Sequence, residues 1–274
     1  MSIVGLAAAI LVLSLAGGFA PRNLAGRLSE IRLHDITGVA SGLLLASALL
    51  VVIPEGFHIA AQAAGPREAF TDDPVVLGAA VLAGFAVMLL LEGFGVGHDV
   101  HEEHHDHEVG HGHGHVHHPR SPLVLAAGLS VHATADGVAI GSAAVAGDSA
   151  FSALVALAVL LHRVPAAFSL GLFTLHETSD RRRATLGLVA FAAATPLAIL
   201  LSYLLLDGAS DRLIALVLMF SAGTFVYVAT VDTLPAVHNP ATGRRSVATV
   251  LLGAALFAAV FLVVDTGGLL DHAH

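Results

Sequence analysis

Ser130-Val131-His132-Ala133-Thr134-Ala135-Asp136-Gly137 places an imidazole and a carboxylate in the middle of an apolar run that extends over 122–146. Four positions apart, His132 and Asp136 stand one turn apart on a single helix face. The rest of the run is Leu, Val, Ala, Ile, Gly and a few hydroxyls, with no charged face to meet water. Such a segment is long enough to cross the roughly 30 Å of a bilayer core, and its ionisable residues then have to turn toward a protein interior. The stretch therefore predicts an all-α integral membrane protein with a polar site inside the helix bundle.

The whole chain agrees. Of its 274 residues 56% are hydrophobic and 12% charged, too few charges to cover a soluble surface. Cys and Trp are absent, which removes disulfides and thiolate ligands. The net charge is −9, every cation is an arginine, and no basic patch forms, so nucleic acid is not an expected partner.

Reading outward at about 20 apolar residues per span gives eight stretches: 2–20, 36–58, 75–97, 122–146, 150–176, 184–206, 212–235 and 246–265. They are separated by turn residues and charge, as at Gly65-Pro66-Arg67 and Asp207-Gly208. The first stretch has no basic leader and is read as a retained helix. With residue 1 outside, eight crossings put Arg22, Arg27, Arg32, Arg120, Arg181, Arg182, Arg183, Arg244 and Arg245 inside and only Arg67 and Arg212 outside. That asymmetry obeys the positive-inside rule and places both termini outside the cytoplasm.

Polar residues mark five spans. The second ends in Ile53-Pro54-Glu55-Gly56-Phe57-His58, the third in Glu92-Gly93, and the seventh holds Asp232 beside Pro235. The fifth contains His162-Arg163-Val164-Pro165. Pro165 lacks an N–H and should kink that helix and free carbonyls near His162. Two histidines and an aspartate on consecutive spans have the mixed N/O chemistry of Zn²⁺, Fe²⁺ or Mn²⁺ ligands. The structural alternative is interhelical hydrogen bonding, with Asp136 paired to Arg163. Glu55 and Asp232, nearer the span ends, are candidate ligands or interfacial groups.

Residues 98–118 hold ten histidines, among them His101, His104, His105, His107, His111, His113 and His115, interleaved with five carboxylates. A segment so polar is expected to stay disordered and to bind metal in exchangeable geometries. By the arginine count it is cytoplasmic.

The chain resembles the ZIP (Zrt/Irt-like) family of divalent metal transporters over nearly its whole length. The resemblance rests on eight spans, the His-rich loop between the third and fourth, His132 to Gly137 running on as Val138-Ala139-Ile140-Gly141, His162 with Pro165, and Phe220-Ser221-Ala222-Gly223-Thr224-Phe225. His132-Ala133-Thr134-Ala135-Asp136-Gly137 and His162-Arg163-Val164-Pro165-Ala166-Ala167-Phe168 are most similar to the subfamily of the Golgi-associated ninth human ZIP paralogue. The resemblance implies a single ZIP-like domain over 1–274 and uptake of a divalent ion, zinc first with Fe²⁺, Mn²⁺ or Cd²⁺ as others. It further implies an elevator-like shift of the first, fourth, fifth and sixth spans against the rest, a homodimer, no enzymatic activity and no resident cofactor. The cell (plasma) membrane is the expected location. Where the family's binuclear centre has further ligands, this chain has Ala133, Arg163 and Ala166, so a mononuclear site is expected, with the Arg163 guanidinium replacing the second cation. A metal-sensing receptor that holds the ion without moving it is the alternative.

Overall fold

The computed structural model describes residues 2–21, 30–63, 74–94, 122–146, 149–177, 181–238 and 243–266. Among them every regular element is helical. In chain order they are α1 (Ile3–Phe19), α2 (Glu30–Ser47), a π-helical segment (Ala48–Val52) that runs without a break into α3 (Ile53–Ala63), α4 (Pro74–Gly93), α5 (Pro122–Val145), α6 (Ser149–Glu177), α7 (Arg181–Leu206), α8 (Asp211–His238) and α9 (Gly243–Thr266). Six stretches are long and apolar enough to cross a membrane: Asp35–Gln62, Pro74–Gly93, Phe151–Phe168, Arg181–Leu206, Asp211–Val231 and Gly243–Val264. The apolar α1 is shorter, and α5, which carries His132 and Asp136, is not in that set. The His-rich stretch 98–118 lies outside the described residues.

Local chemistry explains several boundaries. The Ser2 side chain accepts from the Gly5 N–H at 3.1 Å and caps α1. Asp207-Gly208 is a break, as its composition predicts, with Gly208 at φ +74 between α7 and α8. Pro54 has no N–H for the Leu50 carbonyl and would crowd it, and the wider π turn Ala48–Val52 ends just before this proline. Pro165 and Pro196 stand inside helices that continue through them.

The helices sort into two groups by what they pack against. α1 packs on α6 and α7, and α5 packs on both as well; α9 packs on α2, while α3 and α4 pack on α8. The groups α1/α5/α6/α7 and α2/α3/α4/α8/α9 meet along α2 with α6 and along α5 with α8. Close approaches at glycine fall inside the groups. In the first, a Cβ at Gly137 would strike the Thr195 backbone and one at Gly171 the Gly18 backbone. In the second, Gly84 meets Phe220, Gly223 meets Val81 and Gly253 meets Val39, each backbone to backbone. Small residues of this kind let membrane helices reach short separations and gain dispersion energy. Named hydrogen bonds between helices follow the same division: Tyr227 Oη donates to Glu92 Oε2 at 2.6 Å, and Arg245 clasps Asp35 through two contacts of 2.6 Å.

Candidate metal site

His132 and Asp136 lie one turn apart on α5, and His162 reaches them from α6. The three are buried, with 2%, 0% and 6% of their surface exposed. His132 Nε2 is 3.4 Å from His162 Nε2 and 3.5 Å from Asp136 Oδ1, and His162 Nε2 is 3.3 Å from Asp136 Oδ2. One ligand atom from each residue fits within 4.8 Å of the others. Ligand atoms held tetrahedrally at about 2.0–2.2 Å from an ion stand about 3.3–3.6 Å from each other. The two imidazoles lie about that far apart, and each meets a different oxygen of the carboxylate, so all three side chains are within reach of one ion.

The surroundings orient the donors. His162 Nδ1–H donates to the Ala158 carbonyl at 3.0 Å, which leaves the Nε2 lone pair directed at the triad. Both carboxylate oxygens of Asp136 are buried and accept no hydrogen bond among the described residues. A buried anion with that much acceptor capacity matches a cation or its water shell. Ala133, next to His132, gives its carbonyl to Thr195 Oγ1 of α7 at 2.7 Å, which fixes α5 against α7 beside the triad.

Arg163 stands next to the triad and is 2% exposed. Its Nη1 lies 3.5 Å from Asp136 Oδ2, its Nε donates to Ser14 Oγ at 3.1 Å, and its Nη2 donates to the Phe191 carbonyl at 2.6 Å. The guanidinium also sits 4.1 Å from the centre of the Phe191 ring. One side chain of α6 thus touches α1, α5 and α7, every other helix of its group. From the second group, the Phe225 ring of α8 comes within 6.4 Å of the His162 ring.

Of the residues singled out in the sequence, the structure brings together His132, Asp136, His162 and Arg163. Glu55 and His58 are half-buried on α3 and are not part of that cluster; His58 pairs with Gln62 at 2.7 Å. Asp232 lies on α8, its side chain outside the described set, and the loop histidines are outside it too. Sequence reasoning did not point to Ser14, Phe191, Thr195 and Phe225 as site neighbours. A hydroxyl or an aromatic in an apolar run carries no signature, and Phe191 and Ala133 act through their carbonyls.

The family described as ZIP Zinc transporter matches residues 2–260. Zinc transporter ZIP9 of Xenopus tropicalis is 32% identical over 295 residues, covering 92% of this chain and 94% of the relative. Zinc transporter ZIP9-B of Xenopus laevis is 34% identical over 267 residues, 86% of this chain and 85% of the relative. Zinc transporter ZIP9 of Micropogonias undulatus is 33% identical over 273 residues, with the same coverage.

Proposed function

Since the chain belongs to the ZIP zinc transporter family, we propose that it carries zinc, or a similar divalent ion, across a membrane to the cytoplasm through His132, Asp136 and His162. The observation that carries this reading is the burial of two imidazoles and a carboxylate together, with one ligand atom from each within 4.8 Å of the others. One carboxylate and one guanidinium nearly cancel before the ion arrives. Zinc therefore enters a site with a fixed positive charge a few ångströms away, which weakens its hold and favours release. In this sense Arg163 replaces a second cation, and the site is mononuclear.

The proposed body is a single unit over 1–274 of eight spans with both termini extracytoplasmic. Its 98–118 loop, with His101, His104, His105, His107, His111, His113 and His115, buffers metal on the cytoplasmic side. Glu55 and Asp232 serve as relays near the two mouths. The pathway opens alternately by a slide of α1/α5/α6/α7 against the second group, in a homodimer at the cell membrane. The slide is supported by the packing: glycine approaches and named hydrogen bonds bind each group internally, whereas the two groups meet along α2 with α6 and α5 with α8.

The test is zinc flux into proteoliposomes loaded with a fluorescent zinc dye. Saturable influx in the wild type, lost in His132→Ala, Asp136→Asn and His162→Ala, is the expected outcome. Stoichiometric zinc binding without influx under any imposed pH gradient would convert the carrier into a receptor.

A further inference from the structure

Ser14 is the only polar side chain of α1, and it is completely buried. Its Oγ accepts a hydrogen bond of 3.1 Å from Arg163 Nε. The same guanidinium gives Nη2 to the Phe191 carbonyl at 2.6 Å and lies 4.1 Å from the centre of the Phe191 ring. Toward Asp136 it is far less engaged. Nη1 stops 3.5 Å short of Oδ2, and neither carboxylate oxygen accepts a hydrogen bond among the described residues.

That arrangement inverts the usual preference of an arginine. Beside a carboxylate, a guanidinium ordinarily makes N–H···O bonds of about 2.7–2.9 Å, frequently two in parallel. Away from water, a charged oxygen attracts it more strongly than a hydroxyl or a carbonyl does. An approach of only about 0.7 Å by Nη1 would complete such a bond. Nε and Nη2 are committed instead to α1 and α7, whereas Asp136 stands on α5. The difference matters to the site. A carboxylate clasped by a guanidinium has its charge cancelled and its lone pairs filled, which leaves an ion two imidazoles.

We infer that Ser14 is a positioning residue for the metal site: by holding Arg163 Nε, it keeps the guanidinium off Asp136 and the carboxylate open to the ion. This rests on the triad as the zinc site and deepens that reading. Arg163 and the ion compete for one carboxylate, and Ser14 sets the balance between them. The Phe191 carbonyl assists, but it belongs to the backbone. Ser14 is the part of the restraint that a side chain supplies. Without its hydroxyl, Arg163 Nε would be a buried donor with no acceptor there, a cost that a move onto Asp136 relieves.

The experiment is a mutant cycle in the purified full-length protein. Zinc bound at the triad is read as the titration step lost in His132→Ala, which separates it from zinc held by loop histidines. Ser14→Ala should weaken that step about fivefold or more in the wild-type background and less than about twofold in Arg163→Gln, where no guanidinium remains to collapse. Equal weakening in both backgrounds would make Ser14 a packing residue and overturn the proposal, as would an unchanged affinity in the wild-type background. A second arm needs no zinc. In EDTA, Asp136→Asn should lower the melting temperature by about 3 °C or more beyond its wild-type effect when Ser14 is Ala, because the acid then holds a closed pair. The same loss in both backgrounds overturns the proposal. Should no zinc step depend on His132, the triad reading fails, and the EDTA arm still decides whether Ser14 holds Arg163 away.

Discussion

Deleting the Arg163 guanidinium would leave Asp136 as an anion buried between α5 and α6 with only imidazoles for company. Removing one partner of a buried pair costs on the order of 3–5 kcal/mol. Zinc would supply the missing charge. The Arg163→Gln variant is therefore expected to melt well below wild type in EDTA, to recover most of that loss in zinc, and to bind zinc at least tenfold more tightly, because ligand binding adds to folded-state stability. Melting curves with and without zinc check this, together with a zinc titration. An equal loss in both conditions would make Arg163 a brace through Ser14 and Phe191 and nothing more. Its position beside Asp136 was legible in the sequence, because a charge in an apolar run has few places to go. Its attachments to Ser14 and to the Phe191 carbonyl were not, since backbone acceptors have no residue code.

Pairs of helices are set by what glycine allows. At Gly253 a side chain would run into the Val39 backbone, whereas at Gly78 nothing lies within 4 Å. Gly253→Val should therefore force α9 off α2 and lower stability by about 1–3 kcal/mol, the usual scale of overpacking. Gly78→Ala should be neutral or stabilising by up to about 1 kcal/mol from helix propensity. Thermal unfolding separates the two, and zinc affinity should change in neither, because the triad sits on α5 and α6. Much at this scale could be read in advance: the 122–146 stretch is Pro122–Val145, the 212–235 stretch is Asp211–His238, and the Asp207-Gly208 break is where its chemistry puts it. Other features could not. The second stretch was read as 36–58, yet helix persists from Glu30 to Ala63 because a π segment absorbs Pro54 in place of ending it. The fifth stretch, read as 150–176 with Pro165 inside it, is by contrast one helix from Ser149 to Glu177. Window-based hydropathy sees where the apolar run stops and not where the helical backbone does.

For the molecule as a whole, the central question is whether the two helix groups behave as two bodies. Sequence suggested a division through family resemblance alone, since contact partners between distant spans have no local signal. Arg163 touches the three other helices of its group, and backbone contacts at Gly84 and Gly223 join α4 to α8 while Gly253 joins α9 to α2. Bodies so knitted should tolerate internal cross-links. A Cβ on Gly17 would stand 3.4 Å from the Ala167 Cβ, close to the roughly 3.5–4.5 Å of a disulfide. A Cβ on Gly38 would stand 3.1 Å from that of Thr249, slightly tighter. In this cysteine-free chain, Gly17→Cys with Ala167→Cys staples α1 to α6, and Gly38→Cys with Thr249→Cys staples α2 to α9. Zinc flux after oxidation should stay within about twofold of the reduced protein in both. If either staple stops transport and reduction restores it, the moving boundary runs through a group, and the slide must be redrawn between helices that here pack as one. The two staples together therefore test the partition itself, independently of the triad, because neither touches a proposed ligand.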